Sequence, residues 1–166
     1  LVLNGGVLLT SGTFARNLVT TITPGNANEV NWIAGGGFAA LDSKLTVNLG
    51  SGALMTWASG GFVPTGNLVL GSVISLAETD FSNPISLNGA TRTVSATDNP
   101  NTGADFVTLS GVISGPSAGS SLTKTGNGIL RLGNANTYVG NTNVTQGTLI
   151  VTSLGQSGSA GATSVG

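Results

Sequence analysis

The sequence predicts an all-β protein folded as a β-solenoid, with three short strands and three corners in each coil. Three observations carry that expectation. No window of eleven or more residues places apolar positions at i, i+3, i+4, i+7 between capping residues, as a helix would require. The apolar residues come instead in short bursts, several with strict alternation, and glycine or asparagine sits between the bursts. The chain also resembles itself. "NWIAGGGF" (31–38) returns as "TWASGGF" (56–62), with Trp32 and Trp57 25 residues apart, and "TVNLGSG" (46–52) is echoed by "NLVLGSV" (67–73). Repetition at about 20–25 residues, built from strands and glycine turns, marks a solenoid. A β-sandwich shares the short strands and frequent turns but has no reason to repeat at that interval.

In chain order the expected strands are "LVL" (1–3), "GVLL" (6–9), "EVNWI" (29–33), "KLTVNL" (44–49), "ALMTW" (53–57), "NLVLG" (67–71) and "VISLA" (73–77). They continue with "PISLNG" (84–89), "RTVSA" (92–96), "DFVTLSGVIS" (105–114), "GILRLG" (128–133), "TNVTQG" (142–147) and "TLIVTS" (148–153). Alternation assigns Leu45, Val47, Leu49, Leu68, Leu70, Val107, Leu109, Leu130, Leu132, Leu149 and Val151 to the interior. The least regular stretches, 10–28 and 97–104, are expected to bulge out as loops.

Stacking explains the choice of residue types. Strands of successive coils lie about 4.8 Å apart, so stacked like charges would repel. Corners need residues that tolerate unusual φ and ψ, which favours Gly and Asn. Of 166 residues, 27 are glycine and only 7% are charged, against roughly 25% in an ordinary soluble protein. The hydrophobic share of 39% is enough for one sizeable core. With seven or eight coils expected, the unit would be roughly 35–40 Å long.

Composition also excludes function classes. Net charge is −1 and the five basic residues, Arg16, Lys44, Arg92, Lys124 and Arg131, are scattered, which argues against a nucleic-acid partner. Apolar runs are only a few residues long, far short of the roughly 20 that span a bilayer as a helix, so no membrane insertion of this segment is expected. The chain has no cysteine, which removes disulfides and thiolate metal sites.

Catalytic parts are not gathered anywhere. The only close acidic pair is Glu78 and Asp80, which fits a solvated corner before Pro84 better than one strand face. Glycoside hydrolysis needs two carboxyls about 5–9 Å apart across a cleft, with aromatics to stack a sugar. The chain has no histidine to activate a serine and no G-x-S-x-G elbow. Asp98, Asn101 and Asp105 share a loop of oxygen ligands, but Pro100 interrupts any EF-hand spacing, and a solvated turn is the better reading. Trp32 and Trp57 fit structural corner positions better than exposed sugar platforms. The expectation is therefore no catalytic residue, no metal site and no cofactor.

"LTKTGNGILRLGNANTYVGNTNVTQGTLIV" (122–151) resembles the passenger-associated transport repeat, also called the autotransporter-associated β-strand repeat. The residues that carry the likeness are Leu122, Lys124, Gly126, Gly128, Leu130, Leu132, Asn136, Thr137, Tyr138, Gly140, Thr142, Val144, Gly147, Thr148 and Leu149. Ile129 and Asn134 depart from the usual Thr and Gly, and both changes suit a strand and a turn. The resemblance implies a right-handed parallel β-helix, export, and a place outside the cell or on the bacterial surface. It implies a structural or adhesive passenger, with these residues as a structural motif.

The expected function is a structural extracellular β-solenoid unit of a fibre or giant surface protein. Residues 1–166 would form a single segment whose partners are copies of itself stacked head to tail, by covalent tandem repetition or by assembly. The start "LVLNGGVLL" and the end "LGQSGSAGATSVG" both read as coils in progress. An adhesin or carbohydrate-binding passenger, with glycans as partners, is the alternative. A β-helical polysaccharide-degrading enzyme comes third.

Overall fold

A computed structural model describes residues 1–152, which contain strands and no helix. The strands are β1 (Val2–Leu3), β2 (Val7–Leu18), β3 (Glu29–Trp32), β4 (Gly36–Leu49), β5 (Met55–Thr56), β6 (Leu68–Leu70), β7 (Thr79–Phe81) and β8 (Ile85–Ser86). They continue as β9 (Arg92–Ala96), β10 (Val107–Leu109), β11 (Ile113–Ser114), β12 (Leu122–Thr125), β13 (Ile129–Leu132), β14 (Thr142–Val144) and β15 (Thr148–Val151). Every pairing between these strands is parallel, and each joins one coil to the next, as in a parallel β-helix.

Three ladders run along the molecule. The first stacks the N-terminal half of β2, that of β4, then β6, β9, β12 and β14. The second stacks the C-terminal halves of β2 and β4, then β7, β10, β13 and β15. The third is shorter and holds β5, β8 and β11. Main-chain bonds extend it by one coil, from Thr137 N–H to Ile113 O (2.8 Å) and from Val139 N–H to Gly115 O (3.1 Å). The first coil differs from the rest: β3 pairs with both β1 and the end of β2, and β5 has no strand on its other side.

The repeat is longer than the sequence suggests and shortens along the chain. In the second ladder Val47 stands beside Phe81, 34 residues on, and Phe81 beside Leu109, 28 on. Leu109 then meets Leu132 after 23, and Leu132 meets Val151 after 19. Six coils are therefore begun within the described residues, fewer than the seven or eight expected for the whole chain. The 24–25-residue echo is not the coil period. Phe38 stands opposite Leu70, whereas Phe62 lies between β5 and β6. Trp32 and Trp57 serve one another's neighbourhood instead: both rings meet Phe62 edge-on, at 5.4 and 5.5 Å between centroids.

Alternation places the core as expected. Leu45, Val47, Leu49, Leu68, Leu70, Val107, Leu109, Leu130 and Leu132 are buried, and Leu149 and Val151 pack half-buried against them in the last described coil. One column reads Phe14, Val47, Phe81, Leu109, Leu132 and Val151 through all six coils. Each fully buried aliphatic or phenyl side chain contributes about 1.5–3 kcal/mol.

Two loop and strand expectations change. Residues 10–18 belong to β2, and the loop is confined to residues 19–28. The polar run "TSGT" hid the strand, which pairs with β4 on both sides of a register shift between Thr10 and Gly12. Residues 73–77 are a corner, with Val73, Ile74 and Leu76 exposed and Leu76 N–H bonded to Leu41 O. Loop 97–104 does leave the ladders, but Asn99 within it is buried.

Phe81 lies fully buried between Val47 and Leu109, with its ring 5.7 Å from that of Phe62. Phe81→Ala should lower the unfolding free energy by about 3–5 kcal/mol, read from the midpoint of a urea titration.

Candidate functional site

The coil that begins at Leu122 is the tightest complete turn, and its corners show why. Leu122, Leu130 and Leu132 point inward and are buried. Lys124 also points inward. In register it stands between Val94 and Val144, and its side chain is fully buried. The corner between β12 and β13 spans only 126–128, so its carbonyls crowd together. The ammonium Nζ donates to Thr125 O (3.0 Å), Gly126 O (2.6 Å) and, in the next coil, Gln146 O (3.0 Å). An ammonium has three donors and no acceptor, so three carbonyls use it completely. Burial disfavours the charged form and holds the Lys124 pKa below the ordinary lysine range.

The same corner fixes two glycines. Gly126 has φ +76°, and a Cβ there would press on Ala96 O. A Cβ on Gly147 would lie 2.5 Å from both Gly126 O and Gly128 O and 2.7 Å from Lys124 Nζ. Lys124 thus sits in a socket that only backbone can line.

The opposite corner uses amide and phenol. Asn136 Oδ1 accepts the Ile113 N–H (2.8 Å), so a side chain closes a ladder bond across two coils. Tyr138 is buried, and its hydroxyl shares a 2.6 Å hydrogen bond with Thr142 Oγ1. Burial raises its pKa, with the Thr142 bond acting in the other direction. Thr137 carries the main-chain bond to Ile113 noted above. Gly140 lies against Ser120 O, where a side chain would collide. Val144 and Leu149 belong to the last described coil, Val144 exposed and Leu149 half-buried.

Asn83 plays a part like that of Asn136 and was not visible in the sequence. It is buried, accepts the Leu49 N–H (2.7 Å), and donates to Leu49 O (2.7 Å) and Ala53 O (2.8 Å). The only available signal was an Asn just before Pro84 and after a strand.

Glu78 and Asp80 are not a solvated corner. Asp80 lies in β7, and both carboxylates share the outer face of the second ladder. Register sets them beside Lys44 and Thr46, and Lys44 Nζ bridges the two at 3.1 and 3.2 Å. Their remaining oxygens accept from Thr108 Oγ1 and Ser110 Oγ, each at 2.6 Å. Burial opposes the Lys44 charge, but hydrogen bonds to Glu78 and Asp80 outweigh it and raise its pKa. One coil further, the Arg131 guanidinium covers the Phe106 ring at 4.3 Å. Each carboxylate is thus engaged by a hydroxyl and by one ammonium, an arrangement that cross-ties coils.

Trp32 and Trp57 are buried and carry no exposed sugar platform. In the loop 97–104 and beyond it, Asp105 accepts the Asn99 N–H (2.6 Å), and Asn99 donates to Ser75 O (2.7 Å). Asp98 and Asp105 are not brought into a cluster of three or more metal-ligating residues, and no such cluster occurs among the described residues.

Substitution tests these corners directly. Lys124→Met keeps the stem but leaves three inward carbonyls without donors, so stability should fall by about 1–3 kcal/mol. The loss should concentrate as faster amide exchange in β14 and β15. Because the folded-state pKa of Lys124 lies below the unfolded one, the unfolded chain binds more protons between the two values. This group's contribution should therefore rise with pH through that window up to about 10.5 and fall as pH drops through the folded pKa. Denaturation midpoints at about pH 8 and 10, compared with those of Lys124→Met, check the sign. Asn83→Ala should cost about 2–3 kcal/mol by stranding Leu49 and Ala53, measured by thermal unfolding.

No curated protein and no solved structure matches this chain. Residues 122–151, which span the Lys124 socket, the Asn136–Tyr138 corner and the last described coil, match the family model for the passenger-associated-transport-repeat. The chain carries that repeat, and the repeat marks it as a passenger-type segment.

Proposed function

We propose that the chain is a structural unit of an extracellular β-solenoid at the bacterial surface, adding to further coils end to end. The observation that supports this most directly is β2. It is a twelve-residue parallel strand that pairs with β4 and, at its end, β3, while its other edge stays open among the described residues. An unpaired parallel edge of that length is a template for another strand. Leu8, Phe14 and Leu18 on β2 are only partly buried, so a further coil would also cover apolar surface. The outer face has few charges to oppose stacking, and those at Lys44, Glu78 and Asp80 neutralise one another across coils. The carboxylates of Glu78 and Asp80 serve that cross-tie, and the proposal gives the segment no catalytic role.

Electron microscopy and fibre diffraction of the concentrated protein test the reading. Filaments with an axial spacing of about 4.8 Å are expected. A monodisperse monomer at millimolar concentration in sedimentation would overturn it. Saturable binding on a glycan array would instead make the chain an adhesive passenger.

A further inference from the structure

The third ladder ends on an open edge inside a groove. Its strands repeat one chemistry: Met55, Ile85 and Ile113 stand in register, as do Thr56, Ser86 and Ser114. Each step therefore pairs an aliphatic with a hydroxyl residue. Met55 N–H bonds Pro84 O (2.8 Å) and Trp57 N–H bonds Ser86 O (3.0 Å), so these two residues face β8. By strand alternation the N–H groups of Leu54 and Thr56 turn the other way. There they meet a groove of about 430 Å³. Its far wall is formed by Asn17 and Leu18, and Gly60 closes one side. None of its lining residues is charged. Leu54 at the rim is 55% exposed.

We propose that this groove takes an extended, uncharged segment of a partner polypeptide, which adds as a parallel strand to β5. Main-chain groups give the affinity and alternate side chains the choice, as in other strand-addition sites. The guest places an aliphatic residue opposite Met55 and a small hydroxyl residue opposite Thr56, continuing the two columns. The wall at Asn17 and Leu18 leaves room for one strand and not for a whole coil. A charged guest would lose its hydration against an uncharged lining without gaining a counter-ion. The site is separate from the β2 edge, so it stands or falls independently of the filament reading.

The test uses a fluorescein-labelled peptide, Asn-Pro-Ile-Ser-Leu-Asn-Gly, the sequence of residues 83–89, which lies beside β5 in the fold. Anisotropy titration of the whole chain should show saturable binding. Thr56→Pro deletes the N–H that faces the groove and leaves the Met55 and Trp57 bonds to β8 in place. Leu54→Lys puts a charge on the rim at an exposed position. Each should weaken binding at least tenfold without shifting the thermal midpoint by more than a degree or two. If Thr56→Pro fails to fold, Leu54→Lys carries the test alone. Absence of saturable binding to the native chain, or equal binding by the folded variants, would overturn the proposal. So would self-association of the native chain that Thr56→Pro abolishes, because the edge would then belong to a second copy.

Discussion

Parallel main-chain pairing between successive coils is the constraint on which everything else here depends. At about 4.8 Å per step, each side chain sits directly on its counterpart in the coil below. Inward columns must be aliphatic or aromatic throughout, and the column from Phe14 to Val151 shows this across six coils. Outward columns must avoid like charges. Where acids do occur, at Glu78 and Asp80, the coil below supplies Lys44 and the coil above supplies Thr108 and Ser110. Corners cannot use the ladders, so their polar groups need other partners. Asn83, Asn136 and Lys124 supply them from side chains.

Lys124 illustrates how far that constraint reaches. A lysine in an aliphatic column would ordinarily be costly, because a buried ammonium loses its water. Here the three-carbonyl corner offers a replacement shell, and the glycines around it give the backbone room to approach. The coils before it turn the same corner with longer segments, such as 71–78 and 97–106, which bring their own internal bonds. The short corner at 126–128 and the buried cation are two sides of one solution.

The fold class was legible because period-two alternation and glycine punctuation act locally. Leu45, Val47 and Leu49 declare their face within five residues. Coil length was not legible, because it depends on which strands stack, and that is decided by contacts about 19 to 34 residues apart. The resemblance of 31–38 to 56–62 misled for this reason: the two copies pack on the same Phe62 from different places in the turn. "TSGT" hid half of β2 because a strand at the end of a solenoid tolerates polar side chains when its partner does the burying. Of the candidate site, the identities of Lys124, Gly126 and Gly147 were readable as a pattern. Their meeting was not, since Lys124 and Gln146 belong to different coils. Glu78 and Asp80 were misread because Lys44, their partner, lies a full coil earlier.

The shrinking coil has a consequence for how the molecule presents itself to light. Wide early turns enclose more space, and they fill it with rings: Phe14, Trp32, Phe38, Trp57, Phe62 and Phe81 form one chain of contacts. Narrow later turns close on leucines, with Tyr138 the large ring buried there. The emission of the two tryptophans therefore reports on one end alone, and the near-ultraviolet dichroism is written largely by that end. The half that carries the repeat is almost dark. A spectroscopic melting curve of this protein is in effect a local probe of its wide end.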